Sequence, residues 1–214
     1  MTDSSYTAVS LLVDRSGSMA AIRTSAEDAI NEFIIGQASA AQQNGDKRTV
    51  RLATFDHTYE LVHSSLDVSS GIFTRFKLEP RGTTALLDSM GQSIKDFGAE
   101  LAVMPPAVRP ATVIFVIMTD GIENDSHIYK YDEIAAMVRH QEAAYGWQVL
   151  YLGANQDAIA TAARLGVDQE RAITYAANDH GTHSVMDSVS GYVASASAGE
   201  PAVFSDDDRK DAVQ

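Results

Sequence analysis

The sequence predicts a three-layer α/β domain in which helices cover both faces of a mostly parallel, six-stranded sheet. Apolar runs rich in β-branched residues alternate along the chain with segments of helical periodicity, the pattern of strands joined by crossover helices. The 214 residues are enough for one domain with a full core. Asp56-His57-Thr58 joins the second and third predicted strands, with Asp56 as the last residue of the second. These two strands should therefore form a hairpin that adds one antiparallel edge strand to the sheet.

The predicted elements follow in order along the chain. Short apolar runs bounded by polar or turn-forming residues predict strands, and longer amphipathic segments predict helices. The strands cover residues 8–14, 49–56, 59–63, 112–119, 148–153 and 172–176. The helices cover residues 20–43, 86–103, 131–144, 157–165 and 184–196, and a further short helix is expected within 68–76.

Composition narrows the classes of function. The net charge of −13 argues against a nucleic-acid partner. The chain has no cysteine, which excludes thiol catalysis, cysteine zinc sites and disulfides. It shows neither a signal-peptide pattern nor an apolar segment long enough to cross a membrane, so we expect a cytoplasmic protein, and a monomer. We expect one domain over residues 1–198 and an acidic tail over 199–214.

The end of the first predicted strand is the most informative segment. An apolar run stops there at Asp14-Arg15-Ser16-Gly17-Ser18, which supplies one carboxylate and two hydroxyls at alternate positions. In open α/β sheets, ligands bind at the carboxyl ends of the strands. Carboxylates and hydroxyls form an all-oxygen set, which suits a hard cation such as Mg²⁺ rather than zinc.

The predicted topology brings two further loops to the same edge. If the first strand rises to Asp14, the hairpin and the connection after it return Thr84 to that edge, and the fourth strand ends there at Asp120. The sequence therefore predicts a cation site with Mg²⁺ as the expected ion, Mn²⁺ or Ca²⁺ as alternatives, and water completing the shell. Its ligands are Asp14, Ser16, Ser18, Thr84 and Asp120.

These segments resemble the von Willebrand factor type A (vWA) domain and its metal-ion-dependent adhesion site (MIDAS). The resemblance rests on Asp14-Arg15-Ser16-Gly17-Ser18, Gly82-Thr83-Thr84-Ala85-Leu86 and Thr119-Asp120-Gly121, which occur in the order of the family. It covers roughly residues 6–198, and residues 151–158 are similar to small standalone bacterial and phage members. The resemblance implies the Rossmann-like vWA fold.

The resemblance also implies metal-bridged binding of a protein partner. The five side chains would hold the divalent ion, and an Asp or Glu carboxylate of the partner would complete its coordination. Ser16 and Ser18 would bind the ion directly, whereas the other three ligands would exchange between direct and water-mediated contact. Thr83 stands where the family usually has a second glycine, which leaves the metal hydroxyl open between Thr83 and Thr84. The family register favours Thr84.

Ordinary structural roles compete with metal binding at several positions. Ser16 or Ser18 could cap the helix that follows, and Thr84 could cap the helix that begins after it. Residues 123–125 are expected to form a solvated acidic loop. At the hairpin tip, ordinary turn chemistry is sufficient to account for Asp56-His57.

An enzymatic alternative is a magnesium-dependent phosphohydrolase or phosphotransferase that uses Asp14 as the nucleophile. Such enzymes need a second carboxylate two residues later, where this chain has Ser16, and no lysine is placed near Asp120. Glycine-rich nucleotide loops and a Gly-x-Ser-x-Gly elbow do not occur in the sequence. We therefore expect a binding module rather than an enzyme. A structural α/β domain with a vestigial site is the third alternative.

Overall fold

A single six-stranded sheet organises the chain. The computed structural model describes residues 2–71, 73–155 and 157–214. The strands are β1 (Asp3–Asp14), β2 (Lys47–Phe55), β3 (Tyr59–Asp67), β4 (Pro110–Thr119), β5 (Gln148–Ala154) and β6 (Ala172–Tyr175). They lie in the order β3-β2-β1-β4-β5-β6, and each neighbouring pair is parallel except β2 and β3. The predicted mostly parallel sheet with an antiparallel edge strand is confirmed.

Helices cover both faces of this sheet. They are α1 (Arg23–Asn44), α2 (Leu86–Ala102), α3 (Tyr131–Tyr145), α4 (Ala158–Arg164), α5 (Asp179–Ser197) and α6 (Asp206–Asp211). One apolar cluster joins the sheet to α1 and α5, and a second joins it to α2, α3 and α4. The three-layer prediction is therefore confirmed. Among the helices described, none is both long enough and apolar enough to cross a bilayer.

Burial explains why the strands differ in composition. β1 is buried from Tyr6 to Asp14, as expected for a central parallel strand with helices on both faces. β3 is largely exposed or half-buried, which fits its position at the edge of the sheet. The pairing of β2 with β3 is irregular between Val50 and Ala53, and Ser65 has a φ of 29°. This irregularity lets β3 extend beyond its predicted end at residue 63.

Two predicted helices differ from the observed elements. The segment 68–76 forms only a 3₁₀ turn over Val68–Ser70, because Gly71 adopts a left-handed conformation (φ 67°) that ends it; residue 72 is outside the described part. The helix predicted over 20–43 starts as a 3₁₀ helix at Gly17–Ile22 and becomes α-helical at Arg23. The tighter first turn keeps the segment that follows Asp14 close to the edge of the sheet.

The segment predicted as an acidic tail packs on the rest of the chain. Phe204 and Ala212 are buried in the cluster that contains α5, and Ala176 donates its N–H to the Ala212 carbonyl at 2.8 Å. Its consecutive acidic residues form the first turn of α6, where negative charge is favourable. The division of the chain at residue 198 stays a prediction.

Candidate metal centre

Three loops meet at the carboxyl end of the sheet. β1 and β4 are neighbouring parallel strands, so Asp14 at the end of one and Asp120 just after the other lie at the same edge. Gly17, which follows β1, donates its N–H to the Gly82 carbonyl at 3.2 Å. This bond holds the segment before α2 against the segment after β1. The structure thus brings the three sequence segments together.

The carboxylates and hydroxyls form a connected cluster. The Ser18 hydroxyl donates to Asp120 Oδ1 at 2.6 Å and lies 3.1 Å from the Ser16 hydroxyl. Asp14 Oδ1 accepts from the Ser16 N–H at 2.6 Å, and Asp14 Oδ2 accepts from the Thr119 hydroxyl at 2.6 Å. Sequence reasoning did not assign Thr119 a role. Its position directly before Asp120 was the available signal.

Thr84 faces the same cluster. Its side chain is buried, and a Cβ placed on Gly121 would lie 2.8 Å from Thr84 Oγ1 and 3.2 Å from Asp14 Oδ2. Only glycine leaves room for both groups to approach this point. The Thr83 hydroxyl instead donates to the Asp125 carboxylate. The structure therefore places Thr84, and not Thr83, beside Asp14.

The alternative capping roles of these hydroxyls are not observed. Ser16 stands at the N-cap position of the 3₁₀ helix, but its side chain makes no capping hydrogen bond. α2 begins at Leu86 with Ala85 at its N-cap, one residue later than a Thr84 cap requires. The N–H of Leu87 is satisfied by Glu123 Oε2 at 2.9 Å. Both hydroxyls are therefore free of a capping role.

The acidic loop after β4 is partly exposed, as expected for a solvated loop, but it is also bonded to α2. Glu123 caps α2, and Asn124 Oδ1 accepts from the Thr84 N–H at 2.9 Å. The Asp88 carboxylate in the first turn of α2 accepts from the N–H groups of residues 127–129. The loop thereby positions Thr84. Local sequence could not show this, because every bond joins segments distant in the chain.

The cluster holds buried negative charge. Asp14 is fully buried, and no ion pair to it occurs among the described residues. Burial raises the pKa of Asp14 to about 6, and the hydrogen bonds from Thr119 and Ser16 offset this only in part. Burial also raises the pKa of Asp120. The cluster thus lacks a cation of its own.

The Tyr175 hydroxyl lies in the field of these carboxylates. It is buried and has no hydrogen-bond partner within the described ranges. Burial, followed by the charges of Asp120 and Asp14, raises the pKa of Tyr175 well above its usual value. A divalent cation fits this environment, because it supplies positive charge for the carboxylates.

Side chains other than carboxylates and imidazoles would have to contribute to such a site. In the described ranges, no group of three or more His, Cys, Asp or Glu side chains is arranged to hold a metal. A cation at Asp14 and Asp120 would therefore depend on the hydroxyls of Ser16, Ser18 and Thr84. Magnesium, calcium and manganese accept such neutral oxygen ligands.

A second buried carboxylate, that of Asp56, lies near this cluster and is bound by two arginines. Arg15 turns away from Asp14, and its Nε donates to Asp56 Oδ2 at 3.0 Å. Arg81 Nε donates to the same oxygen at 2.7 Å, and the Thr58 N–H donates to Asp56 Oδ1 at 2.7 Å. Burial would raise the pKa of Asp56, but the bonds from Arg81 and Thr58 and the charge of Arg15 outweigh it and lower the pKa to about 2. We call Arg15, Asp56 and Arg81 the arginine cluster.

The arginine cluster refines the expectation for the hairpin tip. The bond from Thr58 to Asp56 is the turn chemistry that the sequence predicts. The two arginines add ion pairs that sequence reasoning missed. Arg15 also pairs with Glu60 Oε2 at 2.5 Å. The tip is therefore held to the loop after β1 by buried charge.

Comparison with known proteins identifies the fold. No protein-family model and no curated sequence matches the chain. The von Willebrand factor domain of the type V pilus tip protein Mfa5 from Porphyromonas gingivalis has a TM-score of 0.64 at 11% identity, covering 94% of this chain and 98% of that one. Proximal thread matrix protein 1 from the mussel byssus has a TM-score of 0.63 at 14% identity over 88% of this chain.

The chain spans about half of that mussel protein, 48% of its length. A second structure of the mussel protein, with a zinc-occupied MIDAS motif, has a TM-score of 0.56 at 15% identity and covers 91% of this chain and 46% of that one. Similarity at these identities concerns the fold. The strand order, the two helical layers and these structural matches together show that the chain has the von Willebrand factor type A fold.

Proposed function

We propose that this chain is a divalent-cation-dependent protein-binding module, in which a metal ion bridges to an Asp or Glu of a partner protein. The observation that carries the proposal is the pair of carboxylates formed by the buried Asp14 and the half-buried Asp120, which hydroxyls surround and which have no ion-pair partner among the described residues. The proposed ligands are Asp14, Ser16, Ser18, Thr84 and Asp120.

The proposed ligand set suits an ion that must still attract an outside carboxylate. Three of the five side chains are neutral hydroxyls, so the bound ion keeps part of its positive charge. Ser18 is exposed and Asp120 is half-buried, whereas Asp14 and Thr84 are buried. A partner carboxylate would therefore approach from the side of Ser18 and Asp120. We propose Mg²⁺ as the ion, with Mn²⁺ and Ca²⁺ as alternatives.

The contacts of Asp14 favour binding over phosphoryl transfer. Both of its carboxylate oxygens accept hydrogen bonds, from Ser16 and Thr119, and the side chain is fully buried. Phosphoryl transfer by a carboxylate also requires a general acid and base beside the nucleophile. The residue two positions later is Ser16, which is a poor general acid and base near neutral pH.

Calorimetry tests the metal site. Mg²⁺, Mn²⁺ and Ca²⁺ are titrated into protein treated with EDTA, using the wild type, Asp120→Ala and Asp187→Asn. Asp187 is exposed on α5, so its replacement changes the net charge as a matched control. We expect saturable binding at one site in the wild type and in Asp187→Asn, and none in Asp120→Ala. Failure of the wild type to bind any of the three ions would contradict the proposal.

A second titration tests the bridge to a partner carboxylate. A short peptide with one central Glu is added to protein saturated with Mg²⁺, and the same peptide with Gln serves as the control. We expect only the Glu peptide to bind, and EDTA should abolish its binding. Equal behaviour of the two peptides would contradict carboxylate bridging and leave the metal site standing.

We also propose that the module acts as a cytoplasmic monomer. Its net charge of −13 favours self-repulsion over association between copies. Light scattering coupled to size-exclusion chromatography checks the mass in solution with and without Mg²⁺, and fractionation of cells that produce the protein checks its location.

A further inference from the structure

A second concave surface lies at the end of the sheet opposite the candidate metal centre. It is a cavity of about 630 Å³ between α2 and α3. Thr2, Pro110 and Trp147 line it and lie next to the amino ends of β1, β4 and β5. We call this cavity the basal groove. Its volume is within the range of small-molecule sites, about 300–1,000 Å³.

The floor of the basal groove is apolar. Ile94, Val113 and Trp147 line it and are buried in the cluster that joins the sheet to α2 and α3. The Trp147 ring packs against Phe97, with 5.1 Å between ring centroids, which fixes the indole in place. The floor therefore offers a rigid apolar surface to a ligand.

Small residues on the facing helices keep the groove open. Gly98, Ala99 and Ala102 of α2 and Ala144 of α3 line it. A Cβ built on Gly98 meets no heavy atom within 4 Å. A larger side chain at this position would therefore extend into free space and occupy the groove, without a clash that would disturb the fold.

The rim of the groove is basic. Lys95, Arg109 and His140 line it, and no Asp or Glu is among the lining residues. Arg109 Nε donates to the Met104 carbonyl at 2.7 Å and its Nη2 donates to the Ala102 carbonyl at 2.6 Å. These carbonyls lie at the C-terminal end of α2, whose partial negative charge offsets part of the charge of Arg109, and they use only part of its donors.

The chain carries 29 acidic residues, but the carboxylates near the basal groove bind partners other than the rim residues. Glu100 of α2 accepts from Arg51 Nε at 3.0 Å, and Glu142 of α3 accepts from Arg171 Nη1 at 2.8 Å. Asp3, at the start of β1, accepts from the N–H and hydroxyl of Ser5. Ion pairs with Lys95, Arg109 and His140 are likewise absent among the described residues. Among the described residues, no acidic side chain therefore compensates the charge of the rim, and Lys95 Nζ lies over the Tyr129 ring, 5.1 Å from its centroid.

A rigid apolar floor beneath a basic rim without acidic partners among the described residues suits one class of ligand. We propose that the basal groove binds a small amphiphile with a single anionic head group, specifically a straight-chain carboxylate. The head group lies at Arg109 and Lys95, where a charge-assisted hydrogen bond is available, and the hydrocarbon chain covers Trp147. This binding requires no metal ion.

Intrinsic fluorescence tests the proposal directly, because Trp147 is the only tryptophan of the chain. Decanoate, kept below its micellar concentration, is titrated into EDTA-treated protein while the emission is followed. We expect a saturable change, and none with decyltrimethylammonium, which has the same chain and the opposite charge. Arg109→Gln and Lys95→Gln should each weaken binding about tenfold, since each removes a charged donor. Gly98→Leu should abolish it.

Matched controls show whether the effects are local. A Cβ on Gly36 of α1 also meets no atom within 4 Å, so Gly36→Leu controls for the added side chain, and Arg139→Gln on α3 controls for the lost charge. Both variants should bind decanoate like the wild type, and melting temperatures confirm folding. The proposal is overturned by no saturable change in the wild type, by an equal response to the cationic amphiphile, or by unchanged affinity in Arg109→Gln and Lys95→Gln. Full binding by folded Gly98→Leu would overturn it as well.

Discussion

Asp14 and Asp56 are buried carboxylates at the ends of the neighbouring strands β1 and β2, and their surroundings are opposite. Asp14 ends β1 and pairs in register with Phe55, the residue before Asp56. Both side chains are fully buried. Arg15 and Arg81 bind Asp56, whose pKa is lowered to about 2, whereas only hydroxyl and N–H donors surround Asp14, whose pKa is raised to about 6.

The difference shows that burial alone does not decide what a carboxylate does. Asp14 and Asp56 are of the same residue type, are equally buried and lie at the same edge of the sheet. They differ in whether a cationic side chain binds the carboxylate. Asp56 has its cations within the chain, so its charge stabilises the hairpin tip. The charge of Asp14 is left for an external cation. Arg15 separates the two cases, because it follows Asp14 in sequence and pairs with Asp56 in space.

The largest expected effect comes from breaking the arginine cluster. Asp56→Ala removes the carboxylate that accepts from Arg15, Arg81 and Thr58, and leaves the buried Arg15 with the half-exposed Glu60 as its ion-pair partner and a long bond to the Thr58 hydroxyl. We expect the free energy of unfolding to fall by about 3–5 kcal/mol, measured by urea denaturation in EDTA. A loss below about 1 kcal/mol would show that the two clusters differ less than proposed.

Neutralising Asp14 should act in the opposite direction. Asp14→Asn removes a buried charge without a cation, so the metal-free protein should gain about 1–3 kcal/mol in unfolding free energy. The same variant should lose Mg²⁺ binding in calorimetry. A less stable metal-free variant would mean that the bonds from Ser16 and Thr119 outweigh the cost of the charge.

Lowering the pH should reduce the stability that the arginine cluster contributes, because Asp56 becomes protonated. The pKa of this residue is about 2 in the folded chain against an ordinary value of 3.8 for an aspartate, so folding favours its ionised form. The resulting stability is present above pH 4 and is lost as the pH falls towards 2. The difference in unfolding free energy between the wild type and Asp56→Asn should shrink by about 1–2 kcal/mol from pH 5 to pH 2. A constant difference over this range would contradict the assignment.

A methyl group added at Gly121 should affect the metal centre and leave the arginine cluster unchanged. Its Cβ would lie 2.8 Å from Thr84 Oγ1, so the two must move apart. Gly121→Ala should lower Mg²⁺ affinity at least about tenfold and cost about 1 kcal/mol of stability. Gly36→Ala on α1 is the control, because its Cβ meets no atom within 4 Å. Equal Mg²⁺ affinity in both variants would argue against Thr84 as a ligand.

The smallest effect is expected from Arg81→Gln. The Arg81 side chain is 56% exposed, although its Nε binds the buried Asp56. Solvent screens such a pair, so we expect a loss of stability close to the detection limit of urea denaturation and no change in Mg²⁺ affinity. A loss as large as that of Asp56→Ala would show that Arg81, rather than Arg15, compensates the charge.

Local patterns predict the fold and the meeting of loops, but not which side chains pair. Alternating periodicity and the three-residue link at Asp56 predict the sheet with its antiparallel edge. The turn of Arg15 towards Asp56 depends on two separate segments meeting, so the motif that contains Arg15 does not reveal it. The role of Glu123 as the cap of α2 is not evident from local sequence for the same reason, because Glu123 and the helix lie in separate segments of the chain. An aspartate at the end of a buried strand indicates that a cation is needed near Asp56. The same pattern at Asp14 shows that it does not tell whether the chain supplies that cation.

Because no cation within the chain offsets the charge of Asp14, the free energy of unfolding should rise when an external cation binds there. Any ion that binds only the folded chain raises its unfolding free energy, by about 2.7 kcal/mol at a hundredfold excess over Kd. Ions could thus be ranked by thermal shift alone, with no partner in hand. Asp14→Asn would give the baseline, because its folded state no longer contains the charge that the ion offsets.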